Sequence, residues 1–273
     1  VMTDGEYPRL DWEGTGRAPI PPATPLPLSG AGTEASPYLV GTPAEFAMLS
    51  WRPEILGAHI LLTADLDCSG IDLCPIGDLG LFTGVFDGSG HTLANVVINR
   101  TGNDCVGVFR RIESTAAVRN VSIESGEIAG GAYTGGLVGY VQGGTVTACR
   151  SGANVTASGS YAGGLVGYIS GGALAGCSGT GNVSSEGAYV GGVAGSGAGS
   201  TLRDCHAEGS VWVDGEKPSL GIRVAYGGGL LGQNSSGIVE DCSASGSVDG
   251  NGNGVGGLIG GNSGSVSRCC AFG

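Results

Sequence analysis

Gly135-Gly136-Leu137-Val138-Gly139 is the first of five pentapeptides of the form Gly-Gly-[Leu/Val]-[Val/Ala/Ile/Leu]-Gly. The others begin at Gly163, Gly191, Gly228 and Gly256, so the spacing is even except for one longer interval between Gly191 and Gly228. A fixed period of about 28 residues signals a solenoid, in which each repeat buries its apolar face only by stacking on its neighbours. Behind each pentapeptide an aliphatic residue stands three positions before a cysteine: Val146/Cys149, Leu174/Cys177, Leu202/Cys205, Val239/Cys242 and Val266/Cys269. The spacing predicts an all-β chain wound as a single-stranded β-helix. Leu93/Val96 and Val118/Val121 continue the pattern upstream without cysteine. The expected column is therefore Val96, Val121, Cys149, Cys177, Cys205, Cys242 and Cys269. Seven turns at about 4.8 Å each give a rod of roughly 34 Å. The longer interval assigns its extra residues to a loop near Asp214–Tyr226.

Composition narrows the function classes. Glycine makes up 57 of 273 residues, yet no Gly-X-Y period is present, which excludes collagen. In the pentapeptides, glycine pairs are expected to allow positive-φ turns and close approach of stacked coils. No lysine follows them and no strand–loop–helix context surrounds them, so a phosphate cradle is excluded. The formal charge is −12, with 24 acidic against 12 basic residues, Lys217 being the one lysine. That balance argues against nucleic acid and anionic membranes as partners. No run of 18 apolar residues offers a bilayer-spanning helix. Val1 fits either the site of a removed signal peptide or an internal cut in a longer chain.

Three segments are expected. Residues 1–12 form a terminal-coil segment, residues 13–36 a Pro/Gly-rich linker, and residues 37–273 the solenoid, with its regular coils over 133–273. Pro19, Pro21, Pro22, Pro25 and Pro27 make the linker extended and semi-rigid. Thr42-Pro43-Ala44-Glu45 is a capping box with proline at the first helical position, so a short helix is predicted near 42–51, covering the first coil. Strands are predicted at His59–Leu66, Gly84–Asp87, Thr92–Ile98 and Val118–Ile123.

The cysteines Cys149, Cys177, Cys205, Cys242 and Cys269 are expected to fill the core, because a buried thiol behaves as a small hydrophobe and their spacing matches no zinc motif. Neither a metal nor a cofactor is implied. Cys68 and Cys74 flank a short loop and are a disulfide candidate in an oxidising compartment. Cys105 and Cys270 have no evident partner. Asp65 and Asp67, with Asp72 and Asp78 nearby, are weighed as glycosidase carboxylates and lack an obvious partner. Asp249–Gly254 copies half of a calcium loop, but Gly260 stands where glutamate is needed. Of the sequons at Asn99, Asn120, Asn154, Asn182 and Asn234, three recur before a strand valine, which repeat geometry explains better than glycosylation.

The pentapeptides and the following aliphatic-x-x-Cys resemble the GLUG repeat of bacterial surface proteins, found beside adhesin-like regions and in the β-helical part of some immunoglobulin A-cleaving metallopeptidases. Pro37-Tyr38-Leu39-Val40, Leu62–Asp67 and Phe82–Leu93 resemble the segment that commonly precedes such arrays. The resemblance covers Pro37 to Gly273 and implies a β-helix of right-handed type at an extracellular or cell-surface location. It implies no activity. The metallopeptidase zinc signature His-Glu-x-x-His is absent, and His59, His91 and His206 are scattered.

In that family a Tyr-Pro-x-Leu-x-Trp segment usually follows the array. Here Tyr7-Pro8-Arg9-Leu10-Asp11-Trp12 comes first. Cys269-Cys270-Ala271-Phe272-Gly273 lacks two residues before its next apolar position, and Val1-Met2 would supply them, as in Cys205–Val211 and Cys242–Val248. The expected assembly interface is therefore Val1, Met2, Tyr7, Pro8, Leu10 and Trp12 against Cys269, Ala271, Phe272 and Gly273. Copies of the chain would join head-to-tail, either as tandem units of one polypeptide or by strand donation between subunits. The leading function is a non-enzymatic structural unit of an extracellular fibre or surface protein. The alternatives are an adhesin segment binding a surface glycan or host ligand, through a loop with Trp212, Asp214, Lys217 and Tyr226, and a polysaccharide-degrading β-helix enzyme. Exposed aromatics in a groove would raise the former, clustered carboxylates the latter.

Overall fold

One coil of the repeat runs through five short strands: Thr134–Gly135, Val138–Gln142, Thr145–Thr147, Arg150–Ser151 and Asn154–Ala157. Each pairs in parallel with its equivalent one period on, so that Val146 sits beside Leu174 and Val155 beside Val183. The computed structural model of the chain describes residues 28–214 and 225–272. Across them the strands form five parallel stacks of nine, eight, six, six and five strands. The nine-strand stack begins at Tyr38–Val40 and ends at Ser265–Ser267, a rise of roughly 38 Å at about 4.8 Å per step. This is a parallel β-solenoid of the right-handed type. The segment 1–27, Lys217 in the inserted loop and Gly273 lie outside the described residues.

The predicted strand regions are broken by corners. Thr92–Ile98 divides into Thr92–Ala94 and Val96–Asn99 at Asn95, whose φ is 56°. Asn120, at φ 55°, separates Ala117–Arg119 from Ser122–Ile123. The Asn120 corner recurs in every later coil at Ala148, Gly176, Asp204, Asp241 and Arg268, with φ between 51° and 61°. Only one of these is glycine, so the corner is held by its position in the stack rather than by residue type. Asn and Asp tolerate the left-handed region better than most residues, whereas Ala148 and Arg268 are strained there.

Two expectations need correction. Leu93 pairs with Ile123, and Val96 with Gly126 in a different stack, so Val96 does not stand in the column of Val121 and Cys149. Phe86 is the true counterpart of Val118 and Val146. The aliphatic-x-x-aliphatic spacing recurs along any β-rich stretch, and without a pentapeptide to anchor it the register slipped. The second concerns the glycine pairs. None of the pentapeptide glycines has a positive φ. A Cβ on Gly136, Gly164, Gly192 or Gly229 would instead land on the carbonyl of Gly164, Gly192, Gly229 or Gly257 in the next coil. Close approach is their whole requirement.

The two ends of the core differ. Helix α1 (Pro43–Met48) starts with the full capping box: Glu45 N donates to Thr42 Oγ1 at 3.2 Å and Thr42 N to Glu45 Oε2 at 2.9 Å. Leu49–Trp51 and Pro53–Ile55 add two 3₁₀ turns. Phe46, Leu49 and Ile55 are buried, and the Phe46 ring meets Phe86 at 6.2 Å, continuing to Phe109 and Phe82 at 5.2 and 5.0 Å. Beyond this aromatic plug the core is built of Val, Leu, Ile, Ala and Cys.

Candidate functional site

At the end opposite α1 the described residues finish on a coil with unpaired strand edges. Val248–Gly250, Gly254–Gly256, Ile259–Asn262, Ser265–Ser267 and Cys270–Ala271 are each the terminal strand of their stack among the described residues. Side chains at inward positions follow suit. Val239 is fully buried, while its partner Val266 is 40% exposed. Leu230 is buried and Leu258 only partly so. Ala244 gives way to exposed Ala271, and Phe272 reaches 65% exposure. An open strand edge with an apolar interior is a template for a further strand. Of the residues expected at this interface, Cys269, Ala271 and Phe272 lie on the open coil. Val1, Met2, Tyr7, Pro8, Leu10, Trp12 and Gly273 fall outside the described residues.

The cysteine column sits directly behind the left-handed corners. Cys149, Cys177, Cys205 and Cys242 are buried and Cys269 is half-buried on the open coil. Each thiol points at the carbonyl two residues back: Thr147, Ala175, Arg203, Glu240 and Ser267, at 3.0 to 3.4 Å. One geometry repeated five times satisfies the S–H groups within the wall. Burial pushes the Cys149 thiol up to about 12. The expected Cys68–Cys74 disulfide is not formed. Cys68 faces the core, fully buried, whereas Cys74 Sγ lies 3.0 Å from an Arg100 guanidinium nitrogen. Their side chains serve opposite sides of the wall. Cys105 is half-buried and Cys270 exposed, both free.

The carboxylates weighed as catalytic bind neighbouring coils instead. Asp65 Oδ1 accepts the Thr92 amide at 2.8 Å and contacts His91 Nδ1 at 3.2 Å. Asp67 accepts from Asn95 Nδ2 and the Ser69 amide, and Asp72 from Arg100 at 2.8 Å. The Thr92 amide, the Asn95 side chain and the Arg100 guanidinium respectively hold these three carboxyls below the usual range. A glycosidase needs one carboxyl raised to act as acid, and these are shifted the other way. Asp78 is 3.7 Å from Arg110 Nε. Among the described residues no group of three metal-ligating side chains comes together. The sequon asparagines at strand starts form a ladder: Asn154 Nδ2 donates to Glu127, and Asn154 and Asn182 accept the amides of Asn182 and Ser210.

Trp212 and Tyr226, flanking the inserted loop, lie in different stacks. Trp212 faces outward, 43% exposed, from Val211–Val213. Asp214 follows it at the mouth of the loop, its amide donating to the Ser185 carbonyl at 2.9 Å. Tyr226 joins a tyrosine ladder that sequence reading missed. Tyr133, Tyr161 and Tyr189 stack at 4.9 Å per step with ring planes 2° and 17° apart, and Tyr226 follows at 5.8 Å. Tyr140 and Tyr168 pack alongside, with Arg111 4.9 Å from the Tyr140 ring centre. The signal was present: Tyr133, Tyr161, Tyr189 and Tyr226 stand two positions before the first four pentapeptides.

Residues 225–249 match the model of the GLUG motif family. Halomucin of Haloquadratum walsbyi is 32% identical over 143 residues, 48% of this chain and 2% of that protein. A "Putative Gly-rich membrane protein" of Evansella cellulosilytica is 34% identical over 127 residues, 41% of this chain and 14% of that one. The chain thus spans only a small part of the curated relatives it matches. Among solved structures, a "putative immunoglobulin A1 protease" from Bacteroides ovatus superposes with a TM-score of 0.64 at 22% identity, over 88% of this chain and 76% of that one, a likeness of fold. The chain is thus a β-solenoid of five pentapeptides stacked coil on coil, with residues 225–249 matching the GLUG motif.

Proposed function

We propose that the chain is a non-enzymatic structural unit of an extracellular or surface assembly, extended along its own axis. The supporting observation is the last described coil, whose strand edges have no neighbour among the described residues. Val255, Val266 and Phe272 are 45%, 40% and 65% exposed at the rim of a core whose inner valines are buried. A partner continuing the five stacks would bury them and pair five strand edges at once. Sequence spacing favours residues 1–12 of a second copy as that partner, since Val1-Met2 placed after Phe272-Gly273 would put Met2 as far from Cys269 as Val248 is from Cys242. The opposite end is covered by α1, so growth would add copies head-to-tail through their N-terminal segments. The carboxylates nearest to a catalytic arrangement are spent on coil-to-coil hydrogen bonds, which favours the non-enzymatic reading. The likeness to a surface-type repeat protein favours an extracellular site.

Deletion of residues 1–12 tests this. The full 273-residue chain should form end-to-end oligomers, seen by electron microscopy and light scattering, that dissociate under denaturing conditions to 26.8 kDa chains. The truncated chain should remain monomeric and recover assembly neither with salt nor with concentration. Equal assembly by the two chains would exclude strand donation by residues 1–12.

A further inference from the structure

Trp212 is the odd member of its column among the described residues. Its column on the outer wall runs Thr156, Ser184, Trp212, Asp249, one residue per coil. Every other member is small or polar, and only Trp212 places a large apolar group in solvent. The indole borders a groove of about 310 Å³, the size at which small-ligand sites begin. The groove's exposed lining is mostly apolar, with a few hydroxyls set into it. Thr156 and Ser184 lie along the same column, the Ser184 hydroxyl donating to Thr156 Oγ1 at 3.4 Å, and Thr101 and Ser158 also line the groove. Glu186 completes the lining with an exposed carboxylate.

We propose that this groove is a binding site for a neutral saccharide, with Trp212 as its stacking platform. A sugar ring has an apolar C–H face and a rim of hydroxyls. An indole lining a mostly apolar groove suits the first, and the Thr156 and Ser184 hydroxyls with one carboxylate suit the second. The carboxylate accepts from two sugar hydroxyls in charge-assisted hydrogen bonds, which are the stronger kind. Glu186 and the overall charge of −12 disfavour uronic-acid and sulfated glycans. The strand of Trp212 is paired on both sides, to Val183–Ser185 and to Val248–Gly250, so the platform is rigid before ligand arrives. This site is on the side of the rod and does not depend on axial assembly.

Isothermal titration of the full chain with maltotriose, cellotriose, tri-N-acetylchitotriose and, as the acidic member, trigalacturonate tests it. At least one neutral trisaccharide should bind saturably. Trp212→Ala should weaken that binding about tenfold or more, Trp212→Phe should keep part of it, and Glu186→Gln should weaken it a few-fold. Both positions are exposed, and unchanged circular dichroism would show that the variants fold. Absence of binding by all three neutral sugars, binding of trigalacturonate alone, or binding unaltered by Trp212→Ala would each overturn the assignment.

Discussion

Gly192→Ala is the sharpest probe of how the coils are held together. Gly192 is the second residue of the third pentapeptide, and its amide donates to the Gly229 carbonyl at 3.0 Å. An added Cβ would land on that same carbonyl oxygen and lie 2.8 Å from Ala207 Cβ. Both obstacles are backbone or backbone-anchored, so no rotamer relieves them and the coils must separate locally. Overpacking of this kind costs about 1–3 kcal/mol, and loss of a coil-to-coil hydrogen bond about 0.5–1.5 more. Reduced freedom of the unfolded chain returns about 0.4–1. A net loss of about 2 kcal/mol corresponds to roughly 4–8 °C in Tm for a chain of this size. Gly102→Ala is the control: no atom lies within 4 Å of its Cβ, and its φ is not left-handed. It should be neutral or slightly stabilising. Thermal unfolding followed by far-ultraviolet circular dichroism measures both. Equal melting temperatures for the two variants would refute close approach as the reason for the pentapeptide glycines.

Two further outcomes follow from the same geometry. In the folded chain at pH 8, a thiol reagent should modify exposed Cys270 first and leave Cys149, raised to about 12 by burial, untouched until the protein unfolds. Fast native labelling of Cys149 would place it outside the core. Acid should loosen the coils that the aspartates tie together. Asp65, Asp67 and Asp72 are depressed in the folded state relative to an unfolded value of about 3.9. Their contribution is therefore complete above that value and lost as pH falls through the lower folded values. The melting temperature should be flat above about pH 5 and decline below about pH 4, less steeply in Asp72→Asn. A melting temperature constant down to pH 2 would contradict this.

The sequence by itself determined the period, and with it the β-solenoid. A pentapeptide recurring at a fixed interval admits few other folds, and the Thr42–Glu45 capping box located the covering helix from side-chain chemistry local to four residues. The tyrosine recurrence was equally legible and went unread. Register outside the pentapeptides was decided only in three dimensions. Leu93 and Val96 obey the same spacing as Val118 and Val121, and only the pairing of backbone edges tells which coil neighbours which. The role of the glycines was likewise tertiary, because a sequence shows that a side chain is missing but not what would have occupied its space. Cys68 and Cys74 differ for the same reason: close in sequence, they face the core and an arginine respectively. The groove beside Trp212 joins residues 101, 156, 184 and 186, which come from three separate coils. Only stacking brings them together.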